Sequence, residues 1–129
     1  MSLAKLARAS AVHVAVAFVA MGGWALFANR AHGEGAIAPA LAQGTMSGLI
    51  TFGLKRTLEA LARRLSGWIA YVAPPFATAS VILVILVCVH RLIGTPEIAA
   101  TIAVPWSVST LYAILYTAAL TRDRRGRKR

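Results

Sequence analysis

Charge is missing from four long stretches of this chain. No Lys, Arg, Asp or Glu occurs between Arg8 and Arg30, Glu34 and Lys55, Arg64 and Arg91, or Glu97 and Arg122. These gaps hold 21, 20, 26 and 24 residues, and a helix crossing about 30 Å of hydrocarbon needs about 20. Lipid offers no partners to backbone N–H and C=O groups, so only helices and closed barrels cross it. The expected fold is all-α: a polytopic membrane protein whose four transmembrane helices form two antiparallel hairpins within one integral membrane domain, residues 1–129.

Basic residues set the expected orientation. Lys5 and Arg8 precede the first gap, Lys55, Arg56, Arg63 and Arg64 divide the second from the third, and Arg122, Arg124, Arg125, Arg127, Lys128 and Arg129 follow the fourth. Twelve of the 14 basic residues thus fall on one side, leaving Arg30 and Arg91 on the other. Lys and Arg are held on the cytoplasmic side during insertion. Both termini are therefore expected in the cytoplasm, in a multi-pass protein of a bacterial inner membrane. A net charge of +10 would suggest nucleic acid in a soluble chain. Here insertion and attraction to anionic headgroups account for it, and no nucleic-acid partner is expected. The N-terminus imitates a signal peptide, but its apolar run is too long. Ala31-His-Gly33, beside Arg30, is also a poor cleavage site, so the first helix is expected to remain.

The expected helices span about 9–28, 36–64, 69–92 and 97–121, with a basic tail at 122–129. Asn29–Gly35 is a short polar link, and Ile93–Glu97 is a second, with Thr95 as N-cap and Pro96 in the first helical position. Pro39 falls in a first turn, where its missing N–H is harmless. Leucines at 54, 58, 61 and 65 share one helical face. That segment is read as a cytoplasmic amphipathic extension of the second helix, lying on headgroups. Lys55–Glu59 and Glu59–Arg63 are its i,i+4 ion pairs. Gly67 should end the extension, and Trp68 and Tyr71 mark the interface. Pro74-Pro75 leaves two options: the third helix starts near Pro75, or it kinks near its inner end. Pro105 should bend the fourth helix. Arg30 and Gly33 return as Arg91 and Gly94, 61 positions later, as a faint internal repeat.

The second helix carries the candidate functional residues. Ala40, Gly44 and Gly48 form a small-residue stripe suited to close helix packing. Beside it run Gln43, Ser47 and Thr51, leading to Lys55 and Arg56. An amide in hydrocarbon needs a partner. Gln43 either bonds across to Ser107 or Ser109 of the fourth helix as glue, or helps wall a polar path. Ser109 and Tyr116 belong to the facing wall, and Lys55 and Arg56 would hold a phosphate at the cytoplasmic mouth. No nucleophile–base pair, paired carboxylates or phosphate loop occurs, so catalysis is not expected. The three His and the single Cys88 lie at scattered depths, so neither a metal nor a cofactor is implied.

Three functions fit these features. The first is a carrier or accessory protein for a lipid-linked or amphiphilic anionic substrate. The second is an oligomeric pore, including a holin-like one, and the third is a structural or assembly subunit of a larger membrane complex. The expected partners are membrane lipids, anionic or polyprenyl-phosphate-linked, together with further copies of the chain or other membrane subunits. Four helices, cytoplasmic ends, like-oriented hairpins and a basic tail resemble the GtrA-like family. Those small membrane proteins are associated with moving or presenting polyprenyl-phosphate-linked sugars. The family carries Asn-Arg-Arg and an aromatic residue after its even-numbered helices, where this chain reads Leu54-Lys55-Arg56-Thr57 and Leu120-Thr121-Arg122-Asp123.

Overall fold

A computed structural model describes residues 3–126, with side chains from Ser10 onward. The side chains of Lys5 and Arg8, and residues Arg127, Lys128 and Arg129, lie outside the described residues. The chain is all-helical: α1 (Leu3–Ala28), a 3-10 segment (Arg30–Ala36), α2 (Ile37–Arg64), α3 (Ile69–Leu92) and α4 (Ile98–Gly126). Each of the four α-helices is long and apolar enough to cross a membrane. Two ends depart from expectation. Helix α1 begins six residues early, at Leu3, and α4 runs on to Gly126, so Arg122, Arg124 and Arg125 belong to a helix and not to a loose tail. Helices α2 and α4, at 28 and 29 residues, measure about 42 and 44 Å. Both outreach the hydrocarbon, and the surplus of each is basic.

Helix α1 packs mainly along α2, and α3 mainly along α4; α2 and α4 also touch each other, and α1 and α3 do not meet among the described residues. Small residues explain the first pairing. A Cβ added at Gly22 would stand 2.9 Å from the Ala40 carbonyl oxygen, and one at Gly44 2.8 Å from that of Phe18. A Cβ at Gly48 would lie 3.1 Å from a Val14 methyl. The stripe Ala40–Gly44–Gly48 is therefore the seam on which α1 lies, close enough for backbone to meet backbone.

The apolar core joins Leu54, Leu58, Ile82, Leu86, Ile102 and Ala113. Leu54 and Leu58 are its α2 members, which corrects the reading of an amphipathic extension. Leu54 and Leu58 turn onto α3 and α4, while Leu61 and Leu65 are only half-buried. The expected ion pairs also give way. Glu59 accepts a 2.5 Å hydrogen bond from the Tyr116 hydroxyl instead of pairing with Lys55 or Arg63.

Both prolines of Pro74-Pro75 lie inside α3, which is continuous from Ile69. Pro74 cannot donate to the Ala70 carbonyl four residues back. The Thr121 hydroxyl of α4 approaches that carbonyl at 3.4 Å, so the lost bond becomes a link between helices. Gly33 and Gly94, the repeated pair, both adopt left-handed backbone, with φ of +56° and +69°. Each reverses the chain where a side chain would be strained.

Two helix ends are finished by distant residues. Thr95 does not cap α4, which begins only at Ile98, and its hydroxyl meets His90. The Asn29 side-chain oxygen accepts from the Glu97 N–H at 3.0 Å instead. At the opposite end of the bundle, an Arg124 guanidinium N–H donates to the Ala62 carbonyl in the last turn of α2.

Candidate functional site: two polar clusters

Polar side chains gather at both ends of the bundle. The first cluster lies by the two connections, at residues 29–36 and 93–97. Gln43 is fully buried, and its amide N–H donates to the Ser47 hydroxyl at 2.9 Å. Its carbonyl oxygen, which only accepts, lies 2.9 Å from His90 Nε2. His90 Nε2 therefore carries the proton, and in the neutral ring Nδ1 accepts from Thr95 Oγ1 at 2.7 Å. Thr95, His90, Gln43 and Ser47 form one directed chain of hydrogen bonds across α2 and α3. The expected Gln43 bond to Ser107 or Ser109 is not made. Ser107 is exposed, and Ser109 returns its proton to the Trp106 carbonyl of its own helix.

A second chain binds α1 to α4 at the same end. Asn29 is fully buried and donates to the Ala25 carbonyl at 2.9 Å and to Thr101 Oγ1 at 2.7 Å. Thr101 donates in turn to the Glu97 carbonyl at 2.6 Å. Trp24 donates its indole N–H to the Ala100 carbonyl, and His32 pairs with the Glu97 carboxylate at 3.1 Å. Asn29 and His90 were not among the residues singled out from sequence. Asn29 had no local signal, since its side chain does not cap the 3-10 segment that follows it and meets Glu97, 68 positions away. His90 had none, because its partner Gln43 is 47 positions away.

The second cluster lies toward the basic ends of α2 and α4. Tyr112 and Tyr116 stack with ring centres 5.5 Å apart, and Tyr116 holds Glu59. The Lys55 ammonium stands 6.0 Å above the Tyr116 ring, the Arg56 guanidinium 5.1 Å above Phe52, and Arg125 5.0 Å above Tyr71. The structure thus brings Gln43 together with Ser47, and Lys55 with Tyr116, but does not join the two pairs. Thr51, between them, is exposed. The cause is geometric: each four-residue step turns about 40° past a full helical turn. The line from Gln43 to Lys55 therefore leaves the interior and does not continue as one wall.

Comparison with protein-family models, with curated proteins and with solved structures finds no match to this chain. The chemistry must be read from the clusters themselves. Among the described residues, no three His, Cys, Asp or Glu side chains converge as metal ligands. The first cluster is closed on itself, each polar atom answering another. The second presents cations on aromatic rings, facing outward.

Proposed function

We propose that this is a small multi-pass protein of a bacterial inner membrane, built as two antiparallel hairpins with both termini cytoplasmic. In this reading it carries or presents a lipid-linked or amphiphilic anionic substrate, and the likeness to GtrA-like proteins belongs to the same proposal. The observation that carries it is the state of the cations at the basic end. Lys55, Arg56 and Arg125 rest on aromatic rings, and the carboxylate nearest the first two, Glu59, is taken by Tyr116. Cations seated on rings keep their charge available to phosphate oxygens. Aromatic rings and arginines also belong at headgroup depth.

Two experiments test this reading. Reporter fusions at Gly67 and Gly126 are expected to report cytoplasm, and one at Gly33 the opposite side; an external Gly126 reporter reverses the orientation. Native mass spectrometry of the purified protein is expected to find anionic lipid enriched severalfold over its share of the membrane. A bound-lipid profile matching the bulk membrane removes the carrier reading.

A specific observation favours a second reading, a structural or assembly subunit. Gln43, the costliest group to place in hydrocarbon, is satisfied by Ser47 and His90 without any ligand. In that case a foreign subunit, and not lipid, co-purifies. A symmetric homo-oligomer with a central channel would instead indicate the pore.

A further inference from the structure

The basic end contains a cavity that shares one of the aromatic-seated cations, Arg125, and lies apart from Lys55 and Arg56. It measures about 110 Å³ and is walled by Leu65, Ser66, Gly67, Ala70, Thr121, Arg124 and Arg125. It lies where the connection between α2 and α3 meets the last turns of α4. Resting on the anionic-lipid reading above, we propose that this cavity is the seat of the phosphate group itself, a phosphomonoester or diphosphate borne by a membrane lipid.

Four features of the walls carry the assignment. No acidic residue lines the cavity, whereas Arg124 and Arg125 both do, in a wall that is otherwise mostly apolar. Arg124 is part-buried and fixed: one N–H is committed to the Ala62 carbonyl, and a guanidinium has five. The remaining donors are held in place without further loss of side-chain freedom, which is the condition for bidentate capture of phosphate. Arg125 is steadied in the same way by the Tyr71 ring.

The third feature is the backbone. Helix α3 starts at Ile69, beside the cavity, and no side chain caps its N-terminus. The Tyr71 N–H is already donated to the Trp68 carbonyl, but the remaining first-turn N–H groups and the positive end of the dipole add to the field of the arginines. Ser66 lies on the same wall. The fourth feature is size. At about 110 Å³ and open on one side, the cavity has room for a phosphoryl group. The chains would lie outside, along the exposed apolar faces of Trp68, Ile69 and Val72. Lys55 and Arg56 are not cavity residues. Their part is the general field of the basic end, screened within about 8 Å.

The test uses the full chain in nanodiscs containing phosphatidate, phosphatidylglycerol or phosphatidylcholine, with retained lipid counted by native mass spectrometry. Wild-type protein is expected to prefer phosphatidate, whose phosphomonoester presents the most free oxygens. Arg125→Gln and Arg124→Lys should each lower phosphatidate retention about tenfold, the loss of one charge-assisted hydrogen bond. Arg124→Lys retains the charge and a donor for Ala62, so its loss isolates the planar fork, and an unchanged melting temperature shows that it folds. Lys55→Gln with Arg56→Gln should lower retention less than threefold. Equal retention by Arg125→Gln and wild type, with phosphatidate still preferred, overturns the cavity assignment and leaves the lipid reading standing. No preference of the wild type for either anionic lipid removes the lipid reading itself. Displacement by millimolar inorganic phosphate alone would make free phosphate the ligand, and overturns the lipid source.

Discussion

Gly44→Ala is expected to be among the most damaging single-methyl changes this protein can suffer. The added Cβ would meet the Phe18 carbonyl oxygen at 2.8 Å and the Phe18 ring at 3.0 Å. A backbone oxygen inside a helix cannot rotate away, so α1 must lift from α2 along their main contact. Overpacking of this kind costs about 1–3 kcal/mol, and Gly44→Leu should exceed it and prevent accumulation of folded protein. Gly48→Ala meets a Val14 methyl at 3.1 Å, with the Val14 carbonyl oxygen at an ordinary 3.7 Å. That side chain can shift, so its effect should be less than half as large. Val84→Leu, at a position 60% exposed, serves as the control and should be neutral. Thermal unfolding in detergent reads the order, Gly44 well beyond Gly48 and Gly48 beyond Val84. Equal melting temperatures for Gly44→Ala and Val84→Leu would mean that α1 does not lie on this seam.

The second large effect is expected where Gln43 and His90 meet. Gln43→Leu removes the acceptor for His90 Nε2 and the donor to Ser47. His90→Leu strands the Gln43 carbonyl and the Thr95 hydroxyl. A buried polar group left without a partner costs about 1–3 kcal/mol. Each single change should therefore destabilise by about 2 kcal/mol, within the range of buried polar contacts in membranes and water. The double change removes both ends of the same bond. It should cost about 1 kcal/mol less than the sum of the singles, the sign of direct coupling. Strict additivity in unfolding titrations would show that the two side chains do not bond.

Much of the architecture was written in the spacing of charges. The end of α2 at Arg64 falls where the charge-free stretch begins. Of the two options that Pro74-Pro75 left for α3, the origin near Pro75 is not taken and the helix is not interrupted, since it runs from Ile69 to Leu92. Pro39 stands in the first turn of α2, where its missing donor is harmless. What charge spacing does not carry is the rotation of one helix against another. The leucine stripe at 54–65 is one-faced on either reading, and only the positions of α3 and α4 decide that Leu54 and Leu58 meet protein. The same limit hid His90, whose partner depends on the phase between α2 and α3. It also made Gln43, Ser47 and Thr51 look like one surface, although the first two are buried and the third is exposed. Thr95 misled for a different reason. The helix it was expected to cap begins three residues later, at Ile98, and Asn29, 68 positions from Glu97, meets the N–H beside that start.

That exchange of caps has a bearing on biosynthesis. Asn29 completes the beginning of α4, and Arg124 completes the end of α2. Each half of the polypeptide thus holds the closing piece of a helix in the other. A chain still emerging from the ribosome, with three helices inserted, carries an Asn29 amide without its receiver and an Ala62 carbonyl without its guanidinium. Only release of the last residues of α4 supplies both. Completion of synthesis and completion of the fold therefore coincide, and a truncated product is left unfinished at both ends of the bundle.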